Sequence, residues 1–398
     1  MTNPVKKSVL CDLVSRHSNF DFNEHIANTA PEDYDIWNDF CLPMHYSDAA
    51  LEYKTLRSSC AMFDASPMKK YRMRGTDSGH FLDRILTAPV SQLSVLKAAY
   101  GLICNEQGYL IDDGIVIKLG ADDYLLLISE LDLDDHFAKY NDFEDLAITD
   151  ETALSAGIAI QGPMSGKVMQ QVGFTGIEQL APFELKYFDL NGHQILVGRL
   201  GFTGDLGYEI WFSPKAIETI TNAIEKAEQT LDIKIPGYGL TALNICRIEA
   251  GMIVPGWDTA GTFEDLAGER TPYELTLGWN VKLKGNDDFV GKVSLSKEKV
   301  CGSRFKMKGI KIKKNCLLED GHQLYGAVDG VKIEIGSLPS IVWHENAGYW
   351  IGFASIVTDC ADIENIYVIC NKTGNEVAGE ICQIPFVDLP QRNQVPAK

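Results

Sequence analysis

The chain has 398 residues, of which 45% are hydrophobic and 23% charged, and its 55 acids against 36 bases give a net charge of -19. This length exceeds one ordinary hydrophobic core and predicts two or three domains. The negative balance argues against nucleic acid or an anionic membrane surface as a partner, and it is compatible with a cationic substrate.

The absence of several sequence patterns narrows the class of protein further. No apolar run is long enough for a membrane-spanning helix, and the amino terminus lacks the pattern of a secretory signal, so we expect a soluble cytoplasmic protein. The ten cysteines contain no C-x-x-C pair and the eight histidines show no ligand spacing, so no metal site is indicated. No P-loop or dinucleotide-binding glycine motif is present.

The predicted elements begin after a polar, loosely ordered lead-in over residues 1–33. Alternation at residues 71–74 predicts a strand, and the apolar spacing that follows predicts a short helix. Residues 109–118 and 124–129 predict two strands joined by a turn. A strand, a helix and a strand pair in this order indicate a small α+β unit over about 67–149.

The rest of the chain predicts a second mixed region and then a β domain. Residues 157–161 predict a buried strand that turns into a helix, and residues 193–212 predict two strands around a glycine-rich turn. Ser213 can cap the helix that follows, and residues 240–250 predict another. From Phe305 onward, short strands and turns predict a separate barrel or sandwich.

Two adjacent acids interrupt an apolar strand. Because side chains alternate along a strand, Asp112 is expected to share a face with Leu110 and Val116, and Asp113 to share the other face with Ile115. A carboxylate that points inward needs a partner or a chemical role, such as proton transfer with a nitrogen heterocycle. The sequence Asp-Asp-Gly is equally typical of a tight turn, so the pattern alone leaves both interpretations open.

Two other motifs carry candidate functional groups. Glu209 follows the glycine-rich turn that begins at Gly201, and its carboxylate could hold the amino-pyrimidine edge of a pterin. The alternative is a hairpin with a solvent-facing glutamate. Arg247 and Glu249 lie near the end of the predicted helix at 240–250, where they could bind a ligand or form a structural ion-pair network.

Taken together and in this order, the motifs resemble the aminomethyltransferase family. That family includes the T-protein of the glycine cleavage system and related folate-dependent demethylases. The resemblance implies an α+β fold, built as a three-domain cloverleaf with a C-terminal β domain and a central folate channel. It extends from about residue 42 to residue 390, with supporting stretches at residues 42–46, 62–68, 161–163, 271–279 and 288–292.

Pattern and resemblance together divide the chain into four parts. The lead-in over 1–33 comes first. A discontinuous folate-binding domain is expected over 34–66 plus 150–284, with the small α+β domain of residues 67–149 inserted into it. Residues 285–398 are expected to form the C-terminal barrel-like domain.

The resemblance also assigns roles to individual residues. Asp112 would be the catalytic carboxylate that positions the nucleophilic nitrogen of tetrahydrofolate and manages its proton. Trp257 and Tyr273 could hold a cationic donor through their π faces. The residues expected to bind tetrahydrofolate are Met68, Tyr100, Asp112, Ser129, Glu209, Arg247 and Trp279. Two of the family's folate contacts are altered, since Leu243 replaces an arginine and Ser129 an asparagine.

Three functions follow as hypotheses. The first is a demethylase that moves a methyl group from a small sulfonium or methylated amine to tetrahydrofolate. The second is the aminomethyltransferase of glycine cleavage, which yields 5,10-methylenetetrahydrofolate and ammonia. It needs an acidic lipoyl carrier protein, for which Lys6–Lys7, Lys69–Lys70 or Lys306–Lys314 could supply a basic patch. These lysines are equally typical of ordinary solvated surface charge. The third is a non-catalytic folate-binding maintenance protein.

Overall fold

The computed structural model describes residues 5–28, 33–129, 131–259, 269–285, 288–313, 316–328, 331–389 and 392. Within this part of the chain the secondary structure is mixed and largely antiparallel. No helix in these ranges has both the length and the apolar character needed to cross a membrane.

The elements before residue 151 include the strand, helix and strand pair expected there. They are α1 (Cys11–Ser15), α2 (Phe22–Asn28), β1 (Tyr34–Trp37), β2 (Phe40–Pro43), α3 (Ala49–Ser58), β3 (Ala61–Asp64), β4 (Lys69–Arg74), α4 (Ser78–Ile85), β5 (Ala98–Cys104), β6 (Leu110–Gly120), β7 (Asp123–Ile128), α5 (Asp134–Tyr140) and β8 (Ala147–Asp150).

The elements after residue 151 run from a second mixed region into strands. They are β9 (Ala156–Gln161), α6 (Ser165–Val172), β10 (Leu185–Leu190), β11 (His193–Gly198), β12 (Gly207–Phe212), α7 (Ile217–Leu231), α8 (Leu240–Glu249), α9 (Lys292–Cys301), β13 (Phe305–Lys313), β14 (His322–Val328), β15 (Val331–His344), β16 (Tyr349–Val357), β17 (Ile366–Ile369) and β18 (Glu376–Cys382). Single 3-10 turns lie at Thr152–Leu154, Ile177–Gln179, Pro214–Ala216, Gly278–Asn280 and Thr358–Cys360.

The amino-terminal segment differs from its prediction. Its described part forms α1 and α2, and Leu10, Leu13 and Phe22 are buried in a hydrophobic core against β9 and β12. The expectation of a loosely ordered lead-in is therefore wrong for residues 5–28. A few well-spaced apolar side chains suffice to anchor a segment that is polar on average. Residues 1–4 and 29–32 lie outside the described residues.

Two five-stranded sheets and a barrel make up most of the fold. The central sheet has the order β10-β11-β12-β9-β3, and the small sheet has the order β5-β6-β7-β4-β8. Strands β13 to β18 close into a barrel in the order β13-β16-β15-β14-β17-β18. Neighbouring strands in all three are antiparallel, which short connections permit. The expected C-terminal β domain is thus a closed barrel.

Local sequence explains the helices that frame these sheets. Phe81, Leu82 and Ile85 lie on one face of α4 and are buried against the small sheet. Pro214 opens the 3-10 turn that leads into α7, where a missing backbone N–H is tolerated. The Ser213 side chain makes no capping hydrogen bond, so that detail of the prediction is wrong.

The central and small sheets face each other across an apolar layer, which we call the intersheet layer. It is formed by Ala98, Ile117, Leu125 and Leu127 of the small sheet, by Phe63, Ala159, Leu196 and Trp211 of the central sheet, and by Leu243 and Cys246 of α8. The opposite face of the small sheet is covered by α4 and α5. One face of β6 is therefore sealed by helices, and the other borders the intersheet layer.

Candidate functional site

The bulge in β6 decides where the two adjacent acids point. Asp112 pairs with Ile103 and Asp113 with Leu102, and the register then shifts so that Cys104 faces Leu110. Directly paired side chains lie on the same face of a sheet. The predicted common face of Asp112 and Val116 agrees with this register. The predicted common face of Asp112 and Leu110 is wrong, because the extra residue of the bulge reverses the alternation.

Asp112 lies on the helix-covered face of the small sheet. Ile103 and Val116, its neighbours on that face, are packed in the core beneath α4. The side chain is 2% exposed, and its Oδ1 accepts a hydrogen bond of 2.8 Å from the backbone N–H of Asp113. The structure therefore does not place Asp112 on the face that borders the intersheet layer, although its negative charge still acts on Tyr100. The physical reason is the register, which turns its carboxylate away from the intersheet layer.

Asp113 lies on the face predicted for it, and this is the face that borders the intersheet layer. It shares this face with Ile115 and Ile117, which contact the intersheet layer. The Tyr100 hydroxyl donates a hydrogen bond to its carboxylate. The predicted strand therefore presents an acid to the intersheet layer beside Tyr100, and this acid is Asp113.

An aromatic wall continues from Asp113 toward solvent. The Tyr100 ring stacks on the indole of Trp279, with centroids 6.0 Å apart and planes inclined by 24°. Trp279 is 62% exposed, although it lies in the ordered turn Gly278–Asn280. The Asn280 amide donates to the Tyr100 carbonyl at 2.8 Å, which fixes this turn against β5. An exposed indole held in place offers a flat surface to a planar ligand.

The carboxylate of Asp113 titrates in the neutral range. Burial raises its pKa from 3.8 to about 7, and the negative charge of Asp258 contributes in the same direction. The hydrogen bond from Tyr100 lowers the pKa and so partly opposes the effect of burial. Burial and Asp113 together raise the pKa of the Tyr100 hydroxyl well above 10, so this hydroxyl stays a donor. A general acid or base is most effective at a pKa near the working pH.

Glu209 borders the intersheet layer from the central sheet. Its strand β12 pairs it with Gly198 on one side and Ala159 on the other, and it shares a face with Trp211. Burial raises its pKa to about 7, and the nearby indole of Trp211 opposes that rise. Glu209 is half-buried on this face and is not a fully solvent-facing glutamate. Two carboxylates with raised pKa values approach one layer from opposite sheets.

Two further predicted folate contacts lie at the edge of this layer. Met68 precedes β4 and packs against the intersheet layer. Ser129 follows β7, and its carbonyl accepts a hydrogen bond of 3.2 Å from the backbone N–H of Lys69. The end of one strand and the start of the next therefore place Ser129 beside Met68.

Arg247 forms a buried network rather than an open cation. Its guanidinium donates to Asp258 at 2.5 Å, to Ser340 at 2.9 Å and to Asn244 at 2.8 Å, and it is 1% exposed. Trp257 covers it, with the ring centroid 5.7 Å from the guanidinium carbon. These contacts correspond to the structural ion-pair alternative, and they link α8 to the barrel strand β15.

A cavity of about 590 Å³ opens beside this network. It is lined by Asp35, Met44, Leu240, Thr241, Asn244, Gly256, Trp257, Asp320, Gly321 and Pro339. The lining contains two carboxylates and no basic side chain. Trp257 is 37% exposed here, with the guanidinium of Arg247 on one side of its ring.

Tyr273, the second aromatic predicted to hold a donor, is not in that cavity. It packs against Gly278, where an added Cβ atom would come within 2.5 Å of the tyrosine ring. Its position beneath the turn of Trp279 supports the aromatic wall. Trp257 and Tyr273 therefore lie on different surfaces, Trp257 in the cavity and Tyr273 against the turn of Gly278.

Two residues of this site were absent from the sequence-based set. Asp258 is buried beside Arg247, and its charge acts on Asp113. Lys70 is buried below the intersheet layer. The sequence does contain an indication that Lys70 is buried. Strand alternation at 69–74 puts Lys70 on the face opposite Lys69. Asp258 lies in an irregular loop, where no periodicity exists to indicate burial.

Comparison with known proteins identifies the family. Residues 30–285 match the family described as GCVT N-terminal domain. The aminomethyltransferase of Thermotoga maritima is 31% identical over 312 residues, which is 74% of this chain and 81% of that protein. The aminomethyltransferase of Halothermothrix orenii is 29% identical over 87% of this chain and 93% of that protein. The chain belongs to the aminomethyltransferase family.

The fold of this family member agrees with that assignment. The crystal structure of the glycine cleavage system aminomethyltransferase T from Bartonella henselae superposes with a TM-score of 0.78. It is 19% identical and covers 98% of this chain and 99% of its own. The predicted α+β, multidomain T-protein fold is confirmed. As a member of this family, the chain is an enzyme of the transferase class.

Proposed function

We propose that this enzyme transfers an aminomethyl-derived one-carbon unit to tetrahydrofolate bound along the intersheet layer. The observation that supports this most directly is the convergence of Asp113 and Glu209 on that layer from opposite sheets, each with a pKa of about 7. The names of the curated relatives favour aminomethyl over methyl transfer.

The residues of the layer fit a reduced pterin. Such a ring has an apolar face and an edge of N–H groups, which requires carboxylate acceptors within an otherwise apolar slot. Glu209 is suited to accept hydrogen bonds from that edge, while Met68 and the Tyr100–Trp279 wall are suited to contact its faces. When bound, tetrahydrofolate would supply the nucleophilic nitrogen that accepts the one-carbon unit.

Asp113 is the group proposed to manage the proton of the reaction. Its pKa of about 7 allows it to take up a proton and release it near neutral pH. The Tyr100 hydrogen bond would hold the carboxylate in one orientation, and positioning of this kind is a large part of catalysis by proximity. Asp258 and Arg247 form the buried support behind it.

A lipoyl carrier protein would present the aminomethyl group. Its acidic surface would need a basic patch, and Lys69–Lys70 cannot serve, because Lys70 is fully buried. Lys306 and Lys313 point outward from the barrel strand β13, with Lys308 and Lys311 between them half-buried. This row is the described surface that best suits an acidic carrier; residue 314, the end of the predicted cluster, lies outside the described residues.

Methyl transfer from a small sulfonium or methylated amine is the second candidate. It is favoured by the 590 Å³ cavity, whose lining combines Asp35, Asp320 and the exposed ring of Trp257 without a basic side chain. Carboxylates and aromatic rings attract cations. The ammonium of an aminomethyl group has the same charge, so the cavity suits either donor.

The product formed on tetrahydrofolate distinguishes these functions. The purified enzyme is incubated with tetrahydrofolate and either the aminomethylated carrier protein or a panel of methylated amines and sulfonium compounds, and the folates are separated by mass. Aminomethyl transfer predicts 5,10-methylenetetrahydrofolate and ammonia with the carrier alone. Formation of 5-methyltetrahydrofolate from a small donor would replace this proposal with the second candidate. Folate binding without turnover of any donor would indicate a maintenance protein.

A further inference from the structure

Lys70 is a fully buried cation close to the proposed folate site. Its side chain is 0% exposed on β4, in a molecule with 36 basic residues of which few are enclosed in this way. Its Nζ donates to the carbonyl of Ser66 at 2.8 Å and to the carbonyl of Met68 at 2.7 Å. The ammonium also lies over the Trp211 ring, 5.2 Å from the centroid.

No carboxylate among the described residues lies within ion-pair distance of this ammonium. Asp64 and Asp150 act on it only from farther away, and burial lowers the pKa of Lys70 to about 8. A buried charge without a close counter-ion is unfavourable relative to an apolar side chain of the same size. Its stabilising contacts are two carbonyl dipoles and one π face, so its position is specified by those three groups.

These three groups belong to both walls of the intersheet layer. Ser66 and Met68 lie in the short crossing between β3 of the central sheet and β4 of the small sheet. Met68 packs against the layer itself. Trp211 is part of β12, where it shares a face with Glu209, two residues before it. One ammonium therefore contacts the crossing and the opposite wall at once.

We propose that Lys70 is a positioning residue for pterin binding. Its ammonium fixes the crossing segment and the Trp211 ring, and through them it sets the location of Met68 and the orientation of Glu209. This inference rests on the proposed function, because it assigns Met68 and Glu209 to tetrahydrofolate. Lys70 itself lies behind these residues and acts through them.

Two substitutions of Lys70 and one matched control test the proposal. Lys70→Met removes the charge and all donors at similar length, and Lys70→Gln keeps neutral donors. Lys69→Met is the control, because Lys69 is the neighbouring lysine on the opposite face and bonds the Tyr71 hydroxyl at 3.3 Å. Steady-state kinetics give KM for tetrahydrofolate and kcat, and thermal unfolding reports Tm for each variant.

The expected result is a change in KM without a comparable change in kcat. Lys70→Met should raise KM for tetrahydrofolate by about tenfold and change kcat by no more than about twofold, because Asp113 is left in place. Lys70→Gln should recover part of the loss, and Lys69→Met should leave both constants unchanged. A lower Tm with an unchanged KM would show that Lys70 is only structural and would overturn the proposal. If Lys70→Met does not fold, Lys70→Gln alone carries the comparison.

A double-mutant cycle tests the route through the opposite wall. Trp211→Phe replaces the indole beside Glu209 with a smaller ring, and it leaves an aromatic ring over Lys70. If Lys70 acts through Trp211, the effects of Lys70→Gln and Trp211→Phe on KM should be clearly less than additive. Fully additive effects would contradict that route. A wild-type enzyme that binds no tetrahydrofolate at all would contradict the proposed function instead, before any variant is compared.

Discussion

Strand β6 presents one aspartate to each side of the small sheet, Asp112 buried and Asp113 half-buried, and the two sides differ in what covers them. Asp112 faces a core closed by α4, where its Oδ1 accepts the backbone N–H of the next residue. Asp113 faces the intersheet layer, where it meets the Tyr100 hydroxyl and the charge of Asp258. An acid in this strand is thus a candidate for chemistry when it faces the proposed ligand site and not a core closed by helices.

The largest expected effect separates the two acids by activity. Asp113→Asn should lower kcat by about 10²- to 10⁴-fold, the usual range for a general acid or base. Tetrahydrofolate binding should persist, because Glu209 and the aromatic wall are unchanged. Asp112→Asn should keep most of the activity and change the free energy of unfolding by no more than about 1 kcal/mol, because the asparagine oxygen can still accept the hydrogen bond from the Asp113 N–H. Turnover numbers and equilibrium binding of folate provide the comparison, and the reverse ranking would restore Asp112 as the catalytic acid.

The next effect concerns the support behind Asp113. Asp258→Asn leaves the Arg247 guanidinium buried without its counter-ion, which should lower the free energy of unfolding by about 3–5 kcal/mol. It also removes a negative charge whose repulsion raises the pKa of Asp113. Urea denaturation measures the first change. An unfolding free energy within about 1 kcal/mol of wild type would indicate that the Arg247–Asp258 ion pair does not stabilise the fold.

The pH profile tests the environment of the Asp113 face. Asp113 must be ionised to accept a proton, so activity should rise with pH through a limb near 7. The hydrogen bond from Tyr100 lowers the pKa of Asp113, and Tyr100→Phe should therefore move this limb to higher pH. The measurement is kcat at saturating substrates from pH 5 to 9, about two pH units on either side of the limb. A limb that stays in place would mean that another group limits the rate.

The smallest expected effect is a gain in stability. The pKa of Asp113 is raised from 3.8 to about 7 in the folded state, so the unfolded chain ionises first and wild-type stability falls as pH rises through that window. Asn cannot ionise, and Asp113→Asn should therefore have the higher Tm at pH 8, with the difference shrinking toward pH 4. Thermal unfolding at both pH values measures it. A variant less stable at pH 8 would place Asp113 in a structural role.

Much of the fold could be predicted because it depends on local pattern. The hairpin of β6 and β7, the apolar face of α4 and the change to short strands near Phe305 are all properties of neighbouring residues. The motif order was sufficient for the family. The amino-terminal helices were missed because α1 and α2 are five and seven residues long, and their stability comes from the core they join.

The site was less accessible to the same reasoning. Alternation correctly separated Asp112 from Asp113, and the resemblance supplied a role for one of them. Which acid faces the intersheet layer depends on a bulge at residue 111 and on the two sheets stacking face to face, and neither is encoded in a local period. Similarly, the sequence left open whether Arg247 binds a ligand, and its contacts with Asp258 and Ser340 show that it belongs to a buried network.

The sequence by itself determined that this chain is an acidic α+β transferase with two adjacent acids in an apolar strand. Local propensity, composition and motif order carry that information, because each depends on residues close in the chain. Only the tertiary structure decided that Asp113 and Glu209 approach one layer, that Asp112 is enclosed by α4, and that Lys70 lies between the two walls. Those relations depend on contacts between residues far apart in the chain, where burial and neighbouring charges set the chemistry of each group.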